Sequence, residues 1–577
     1  MAQSEELQEA LVIPVPDDPA LVLDGCRRLL GPNLYGPDTG AVGDGLSPGF
    51  DPARMLALWS LHARALLDAL GWACPITTRP FDGGGSLYVP APVDQLFTAA
   101  YLIEAAWHYA ACELLGLPTV PQARMRADLA CVSAAETNPA LLALIDQARA
   151  RGIDRLLDDD ALTLGHGAGS ATWPTDALPE KPDWARLHDI PVALVTGTNG
   201  KTTTTRLIAA MGQAAGMISG LSSTEFVRVG DEVLDKGDYS GPAGARLLLR
   251  DKRLGLAVLE VARGGILRRG LPITRARAAV VTNVAADHLG QYGIMTVPDL
   301  ARVKLAVHRA LAPGGLLVLN ADDAPVVTAA AEVTARVAWF SLDPARPQIT
   351  TARAEGQPCG WLEGGMIRLS DGTQATDLIA AADVPLTLGG AARYNIENAL
   401  GAALAARALG LPDAAIRATL SRFRSDAKDN PGRANEFAWN GARVFVDFAH
   451  NPHSIAAVTS ALAALPARER HVLLTHAGDR SDQDISDLTT GAFALHPDHV
   501  VAAENPKYLR GRSPGEVSGL IRKASLACGL PPDQILTAAS PAAGARLILD
   551  RLQPGDLALL LVHDERDQIF AMLEAGG

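Results

Sequence analysis

A segment rich in glycine, lysine and threonine, GTNGKTTT at 197–204, has residue types that could bind a phosphate. It follows a short apolar run and its threonines can begin a helix, so the expected order is strand, loop, helix. Glycines let backbone N–H groups approach phosphate oxygens, and a helix N-terminus adds partial positive charge. Lys201 could then reach the terminal phosphates and the Thr202 hydroxyl could hold Mg²⁺. Only Thr198 and Asn199 separate the two glycines, whereas the general P-loop has four intervening residues.

Acidic and imidazole side chains follow two further apolar runs. Glu260 ends one run, and Asp287 and His288 follow the next. Because α/β sheets bind ligands at the carboxyl ends of their strands, Glu260 is a candidate Mg²⁺ ligand, with a solvated strand-end carboxylate as the alternative. The Asp-His pair fits a metal or phosphate contact better than a structural histidine.

The positions of these groups depend on helices between the apolar runs. Residues 299–315 predict an amphipathic helix that contains Lys304 and ends at Pro-Gly-Gly. Asp322 and Asp323 could contact a nucleotide or cap the next helix. An alanine-rich helix is expected over 389–410, with two asparagines near its start that could read an adenine edge or act as N-terminal caps.

A further unit begins after about residue 425, where strands, polar loops and helices recur. This order predicts a Rossmann-like domain. Three of its strands end in polar loops, which contain Asp447 with His450 and Asn451, then Arg480, then Lys507 with Arg510.

Composition restricts the class of protein. The chain has 577 residues, 48% apolar and 20% charged, so we expect a globular protein of about three domains. A net charge of -13 argues against a nucleic-acid-binding surface. Six scattered cysteines lack metal-binding spacing and suit a reducing compartment. Neither a signal peptide nor an apolar run of bilayer length is visible, so we expect a soluble, cytoplasmic protein without a membrane partner.

The fold class is therefore predicted to be α/β. We expect an N-terminal α+β domain at 1–172, a linker at 173–188, a central P-loop ATPase domain with a parallel sheet at 189–425, and a Rossmann-like domain at 426–577. The N-terminal domain has helical patterns at 51–72, 93–116 and 138–152, whose aromatic residues are expected in the core. It contains no motif that indicates catalysis.

The motifs of residues 190–577 resemble the Mur ligase family. GTNGKTTT, the strand-end glutamate, TNVAADHLG, the helix with Lys304, YNIENALGAAL, PGR and DFAHNPHS occur in the order of that family. Within it they are most similar to the Mur-type half of cyanophycin synthetases, which the segments at 235–270 and 507–517 also resemble. RRLLGPNLYG at 27–36 and the segment at 148–173 resemble the upstream parts of those enzymes.

The chain also departs from that pattern. Cyanophycin synthetases have an ATP-grasp domain between the segment that resembles 148–173 and the Mur-type P-loop. Here fewer than about thirty residues separate Trp173 from the P-loop, too few for a domain of that kind. The resemblance thus implies a protein that retains the Mur-type site and lacks the other.

The resemblance implies an ADP-forming ligase that joins a carboxylate and an amine through an acyl phosphate, with ATP and Mg²⁺ as cofactors. It implies that Lys201 and the loop hold the β- and γ-phosphates, that Thr202 and Glu260 hold one Mg²⁺, and that His288 and Lys304, the latter as a carbamate, hold a second. The other implied nucleotide-binding residues are Gly197, Thr198, Asn199, Gly200, Thr203, Asn395 and Asn398 (adenine), Arg433 (phosphates) and Asp447 (ribose). The implied substrate residues are His450, Asn451, Arg480, Lys507 and Arg510.

Three functions remain open from the sequence. The first is a ligase for a cyanophycin-related amino acid or dipeptide such as β-aspartyl-arginine. The second is a Mur-type ligase that makes another small peptide or a glutamyl amide. The third is a non-catalytic partner of a two-site synthetase, against which the intact set of site residues argues. We also expect a homo-oligomer.

Overall fold

The computed structural model describes residues 6–576, which divide into two compact units. The first unit contains residues up to 340, together with 351–359 and 401–415. The second contains 341–350, 360–400 and 416 onward.

The first unit begins with an antiparallel sheet covered by helices, as expected for an α+β domain. The sheet order is β1–β2–β4–β3. Trp59 and Trp107 are completely buried between the sheet and its helices, which confirms that the helical aromatics are core residues. The elements are β1 (Val22–Leu29), β2 (Gly40–Leu46), α1 (Pro52–Leu70), β3 (Thr77–Phe81), β4 (Gly84–Pro90), α2 (Leu96–Leu115), α3 (Gln122–Glu136) and α4 (Pro139–Ala150).

A small three-stranded sheet follows and leads into the central domain. It consists of β5 (Arg155–Leu157), β6 (Ala161–Leu164) and β7 (Ala171–Pro174). Residues 175–191 then form neither helix nor strand.

The central sheet places its parallel strands side by side around β8. Its order within the first unit is β11–β10–β9–β12–β8–β13–β14–β15. The six neighbouring strands β9, β12, β8, β13, β14 and β15 pair in parallel, and β10 and β11 add an antiparallel ribbon next to β9. Apolar side chains of β8, β12 and β13 are buried, as continuous Val, Leu and Ala runs predict. The elements are β8 (Val192–Thr196), α5 (Lys201–Ala214), β9 (Ser219–Ser222), β10 (Phe226–Val229), β11 (Glu232–Lys236), α6 (Pro242–Leu249), β12 (Leu256–Glu260), α7 (Arg263–Arg269), β13 (Ala276–Val281), α8 (Val297–Leu305), β14 (Leu311–Asn320), α9 (Ala324–Ala330) and β15 (Arg336–Ser341).

One predicted helix is shorter than expected. The helix expected over 299–315 ends as α8 at Leu305, a 3₁₀ turn continues to Ala310, and β14 begins at Leu311. Leu311 pairs with Ala276, and the next paired residue of β14 is Leu316, opposite Ala278. The residues between them loop out of the ladder, because Pro313 has no N–H to donate and Gly314 has φ +79°.

The segment 342–434 links the central strands to the last sheet and contains both helices and strands. The expected helix at 389–410 is present as α11. The elements are α10 (Pro347–Ala354), β16 (Cys359–Glu363), β17 (Met366–Ser370), β18 (Ala375–Ala380), α11 (Arg393–Ala408) and α12 (Asp413–Leu420).

The C-terminal sheet has the Rossmann-like form predicted. Its order is β19–β20–β24–β21–β22–β23; only β19 pairs antiparallel. Two apolar clusters lie on its opposite faces, because successive side chains of each strand alternate in direction. The elements are β19 (Asn435–Trp439), β20 (Ala442–Asp447), α13 (Pro452–Ala463), β21 (Arg470–Leu474), α14 (Asp482–Ala492), β22 (His499–Ala503), α15 (Glu516–Ala527), β23 (Ile535–Ala538), α16 (Pro541–Leu549), β24 (Leu557–Leu561) and α17 (Arg566–Gly576).

Among residues 6–576, no single helix has the length and apolar character needed to cross a membrane. The bent pair α3 and α4, at 58° to each other, meets that criterion only when both are taken together, by length and composition.

Candidate active site

The P-loop connects β8 to α5 and has two positions that require glycine. Gly197 has φ +147°, and a Cβ there would lie 1.9 Å from Thr282 Oγ1. Gly200 has φ +83° at the N-cap of α5. The loop therefore approaches the end of β13 more closely than any side chain would allow.

Residues after β13 hold the P-loop in place. The backbone N–H groups of Thr198 and Asn199 donate to the carbonyl and side-chain oxygens of Asn283, at 2.8 and 2.9 Å. The Thr282 hydroxyl donates to the Asn199 carbonyl at 2.6 Å. No role in shaping the loop was predicted for Thr282 or Asn283, although their position at a strand end is the signal that would have suggested one.

Two predicted Mg²⁺ ligands lie together. The Thr202 hydroxyl donates to Glu260 Oε2 at 3.0 Å, and Glu260 is 2% exposed at the end of β12, next to β8. A hydroxyl and a buried carboxylate are oxygen donors of the kind Mg²⁺ takes, so these residues fit the ion. Two further residues predicted to bind the nucleotide lie in the first turn of α5. Lys201 Nζ donates to the Thr198 carbonyl at 2.9 Å. Thr203 is buried.

Lys304 lies against the P-loop, although it is far from it in sequence. It is 4% exposed, and its Nζ donates to the Gly197 carbonyl at 2.7 Å. Burial, followed by the nearby charge of Lys201, lowers the Lys304 pKa well below its ordinary value, while Asp287 opposes the shift. Since only a neutral amine adds to CO₂, this environment suits the carbamate that the family resemblance implies.

His288 occupies an exposed loop. Its side chain is 58% exposed, its Nε2 lies 3.8 Å from Asp287 Oδ1, and its backbone has φ +49°. Arg263 donates to the His288 carbonyl and, at 2.7 Å, to Gln291 Oε1. The predicted metal contact of His288 stays a prediction.

The remaining predicted residues belong to the second unit. Asn395 and Asn398 are buried near the start of α11, where Asn398 Nδ2 donates to Asn395 Oδ1 at 3.1 Å and Asn395 Nδ2 donates to the Leu386 carbonyl at 2.9 Å. These bonds fix the orientation of the Asn395 amide. Its contact with adenine stays a prediction.

Asp447 ends β20 and accepts two backbone hydrogen bonds. Its oxygens accept from the N–H groups of Ala434 and Ala449, at 2.7 and 2.6 Å. Burial raises the Asp447 pKa, and the Arg433 guanidinium opposes that shift. Arg433 also lies 5.2 Å from the Phe448 ring centroid.

His450 and Asn451 form the start of α13. Asn451 is its N-cap and accepts from the Ser454 N–H at 2.9 Å within a capping box. His450 Nδ1 lies 3.0 Å from the Phe448 carbonyl. Asn451 thus has a structural role in the helix cap, and the substrate role predicted for both residues stays a prediction.

The three predicted basic residues lie on loops at the carboxyl ends of β21 and β22. Lys507 pairs with Asp564 at 3.3 Å, and Arg510 pairs with Asp479. The Arg480 charge contributes to lowering the pKa values of two histidines, the buried His476 and the half-buried His563. The charged side chains of these loops therefore interact with one another and with the two histidines at one edge of the sheet.

Four residues at that edge were missed by the sequence analysis. His476 and His563 follow β21 and β24, and burial lowers their pKa values to about 3 and about 4. Glu504 and Asn505 follow β22 and are buried; Glu504 Oε2 and both amide heteroatoms of Asn505 have no hydrogen-bond partner among the described residues. Buried polar atoms without partners at the ligand-binding edge of an α/β sheet indicate a binding surface.

A different cluster lies at the opposite, amino-terminal edge of that sheet. Glu469, His471 and Asp556 have donor atoms within 4.8 Å of one another. Arg468 donates to both Asp556 oxygens, at 2.9 and 3.0 Å, and the N–H groups of Glu469 and Gln553 also donate to them. Both oxygens of the Asp556 carboxylate thus accept hydrogen bonds within this network, which lies at the edge opposite the candidate site.

Family comparisons agree with this geometry. A model of the Mur ligase middle domain matches residues 195–406, which contain the P-loop, Glu260 and Lys304. A model described as Mur ligase, glutamate ligase domain matches residues 432–561. The chain belongs to the Mur ligase family. The glycine-lysine-threonine loop, Glu260 and Lys304 thus all lie within a Mur ligase middle domain.

Individual relatives support the same assignment. Cyanophycin synthetase of Trichormus variabilis is 38% identical over 365 residues, which are 63% of this Mur ligase chain and 39% of that protein. UDP-N-acetylmuramoylalanine–D-glutamate ligase of Pelotomaculum thermopropionicum is 33% identical over 238 residues, 41% of this chain and 45% of that one. The chain spans about two fifths of the length of the cyanophycin synthetases that it matches.

A solved structure shares the fold. E. coli FolC in complex with ADP, without folate substrate, aligns with a TM-score of 0.50 at 20% identity, over 67% of this chain and 89% of that one. The similarity concerns the fold alone.

Proposed function

We propose that this Mur ligase family member is an ATP-dependent, ADP-forming ligase that joins a carboxylate to an amine. The observation that supports this most is the arrangement around the P-loop. Thr202 lies 3.0 Å from the buried Glu260, and the Lys304 amine contacts the Gly197 carbonyl at 2.7 Å. Cationic, hydroxyl and carboxylate groups are thus concentrated where a triphosphate would bind.

The reaction has two steps that balance. A carboxylate oxygen attacks the γ-phosphorus of ATP, and the bond from that phosphorus to the β–γ bridging oxygen breaks. The products of this step are ADP and an acyl phosphate. A neutral amine then attacks the acyl carbon, the C–O bond to phosphate breaks, and the amine loses a proton as the amide forms. Phosphoryl transfer of this kind depends on positioning and charge neutralisation more than on a protein nucleophile.

Each site residue has a role in these steps. Lys201 and the loop N–H groups other than those of Thr198 and Asn199, which donate to Asn283, would hold the β- and γ-phosphates and stabilise the charge that moves during transfer. Thr202 and Glu260 would hold one Mg²⁺. Lys304, as a carbamate, and His288 would hold a second. When bound, the ions neutralise phosphate charge.

We infer a cyanophycin-related substrate, with preformed β-aspartyl-arginine as the first candidate. The similarity to cyanophycin synthetases supports this choice. The buried Glu504, with one carboxylate oxygen lacking a hydrogen-bond partner among the described residues, would suit a cationic side chain such as that of arginine. The amine would then bind at the carboxyl edge of the C-terminal sheet.

A substrate screen tests the proposal. Purified protein would be incubated with ATP, Mg²⁺ and either single amino acids, β-aspartyl-arginine or cyanophycin primers, with ADP release and product mass measured together. We expect an amide product and one ADP per bond, and loss of most turnover in a folded Lys201→Ala variant. ADP release without any amide product, or near-normal product from Lys201→Ala, would contradict the proposal.

A Mur-type ligase of other specificity is the second candidate. Residues 432–561 match a glutamate ligase domain, and a D-glutamate ligase is among the relatives. Turnover with another amino acid pair, but not with cyanophycin-related compounds, would retain the ligase and exclude the cyanophycin substrate. We also expect a homo-oligomer, which light scattering of the purified chain would test.

A further inference from the structure

The loop of residues 287–293, here called the His288 loop, lies within the connection from β13 to α8. Two of its residues, His288 and Tyr292, have φ values of +49° and +55°, a conformation that side chains other than glycine rarely adopt. Positions 288 to 291 are exposed. Such a loop needs contacts from elsewhere to keep one conformation.

Arg79, on strand β3 of the N-terminal sheet, supplies such contacts. Its Nη2 donates to the carbonyls of Tyr292 and Gly293, at 3.3 and 3.0 Å. The same nitrogen donates to Ser86 Oγ on β4 at 3.2 Å, so the guanidinium is itself held by the sheet. One side chain of the N-terminal domain therefore binds the backbone of the His288 loop at two successive residues.

Packing adds to these hydrogen bonds. Gly293 is buried at φ +65°, and a Cβ there would lie 2.4 Å from the Phe81 ring and 2.8 Å from Arg79 Nη2. The Arg27 guanidinium lies 4.8 Å from the Tyr292 ring centroid and pairs with Asp44 at 2.7 Å. Strands β1 and β3 thus fit closely against the end of the loop.

Arg79 also reaches the helix that contains Lys304. Its Nη1 lies 3.9 Å from Asp299 Oδ1. Asp299 belongs to the capping box of α8, where the Thr296 hydroxyl donates to Asp299 Oδ2 at 2.7 Å. Arg79 therefore contacts both the loop with His288 and the start of the helix with Lys304.

We propose that the N-terminal domain positions the second metal site of the ligase, with Arg79 as the positioning residue that fixes the His288 loop relative to α8. The proposal rests on the proposed function, since it assigns His288 and Lys304 to one metal. It gives the N-terminal domain, which has no catalytic motif, a role in the ATPase site. Groups that orient metal ligands typically change metal affinity about 10- to 100-fold when removed.

Hydrogen–deuterium exchange of the full chain without nucleotide tests the positioning directly. In Arg79→Ala, amides of residues 288–295 should exchange on the order of tenfold faster, because two carbonyls of the loop lose their donor. Arg64→Ala is the matched control, since Arg64 is an exposed arginine on α1. Exchange in this segment that is equal in wild type, Arg79→Ala and Arg64→Ala would overturn the proposal.

A binding measurement then connects the loop to the metal. The Mg²⁺ concentration that half-saturates binding of the β,γ-imido analogue of ATP should rise on the order of tenfold in Arg79→Ala, with Arg79→Lys intermediate and Arg64→Ala unchanged. Faster exchange with an unchanged Mg²⁺ midpoint would overturn the metal role. Neither measurement requires turnover. A protein that makes no amide would therefore contradict the proposed function, but hydrogen exchange and the Mg²⁺ midpoint would still test the role of Arg79.

Discussion

Lys304 shows how a single residue acquires a chemical role from its surroundings. On the surface of a helix it would be an ordinary cation, yet it is 4% exposed and its amine contacts the Gly197 carbonyl. Burial and the charge of Lys201 lower its pKa. A lysine that is easily neutral can become an anionic carbamate, which is the charge a metal site requires.

We therefore predict that Lys304 forms a carbamate. The motivation is its lowered pKa beside the P-loop. Lys304→Ala should lose most ATP-dependent turnover and regain part of it with acetate or another small carboxylate, whereas an exposed-lysine control, Lys252→Ala, should match wild type. Native ¹³C NMR with ¹³CO₂ should show a carbamate signal that is absent in Lys304→Ala. Full activity of Lys304→Ala without any additive would contradict the assignment.

At this scale the sequence predicts local sites well and long-range contacts poorly. The P-loop and Thr202 are contiguous, so the spacing of a few residues identifies them. The role of Asn283 depends on a contact with Asn199 across 84 positions, which no local pattern contains. The buried pair of Glu504 and Asn505 was missed for the same reason.

The elements show where periodicity is informative. Helices α1, α2 and α4 were predicted to within a few residues, and strands β8, β12 and β13 lie at the three apolar runs, because each segment has a strong apolar pattern. The helix at 299–315 was too long by ten residues at its C-terminal end, since α8 ends at Leu305. Strand pairing with β13 overrides the local pattern there, and pairing partners cannot be inferred from one segment.

The close packing at the junction of β8 and the P-loop predicts that one added methyl group lowers both stability and nucleotide affinity. In Gly197→Ala the Cβ would lie 1.9 Å from Thr282 Oγ1, which itself holds the Asn199 carbonyl. We expect a loss of roughly 1–3 kcal/mol in stability and weaker binding of the β,γ-imido analogue of ATP. Chemical denaturation and calorimetry would measure both. Gly519→Ala, where nothing lies within 4 Å, is the control, and equal nucleotide affinity in both variants would contradict the geometry.

The strand ends of the C-terminal sheet predict a pH dependence. Burial lowers the pKa values of His476 and His563 to about 3 and about 4, whereas an unfolded histidine titrates near 6.5. Between these values the unfolded chain binds more protons, so the stability contribution is complete above about pH 6.5 and is lost as the pH falls. The slope should be about 1.4 kcal/mol per pH unit for each histidine.

Denaturant unfolding between pH 7.5 and 5, followed by hydrogen exchange of the C-terminal sheet, measures this slope. His563→Gln should reduce the slope of the unfolding free energy against pH by the contribution of one histidine. His453→Gln, at an exposed position of the same domain, should leave the slope unchanged. A His563→Gln slope equal to that of wild type would show that His563 protonates freely in the folded state.

The whole molecule combines two Mur ligase domains with an N-terminal domain that contacts the His288 loop. Fewer than about thirty residues lie between Trp173 and the P-loop, so the chain has no room for a second ATP-binding domain there. The family and the order of domains follow from motif order along the sequence. The contact of Arg79 with Gly293, across 214 positions, required the structure.

The single ATP site proposed here predicts one kind of amide bond. With ATP, Mg²⁺, a primer and free aspartate plus free arginine, this chain should not build a branched polymer, because that product requires two different activated carboxylates. With β-aspartyl-arginine in place of the free amino acids, we expect elongation or a single addition. Mass spectrometry of both reactions decides, and elongation from the two free amino acids would contradict a single site.

The central claim, that this chain makes amides through an acyl phosphate, is tested most directly by isotope transfer. Purified protein would receive ATP, Mg²⁺ and β-aspartyl-arginine labelled with ¹⁸O in its carboxylates, and the released phosphate would be analysed by mass spectrometry. Because the carboxylate oxygen attacks the γ-phosphorus and leaves with it, the account predicts one ¹⁸O in phosphate for each amide bond and each ADP. Amide formation with unlabelled phosphate, or with AMP in place of ADP, would contradict it.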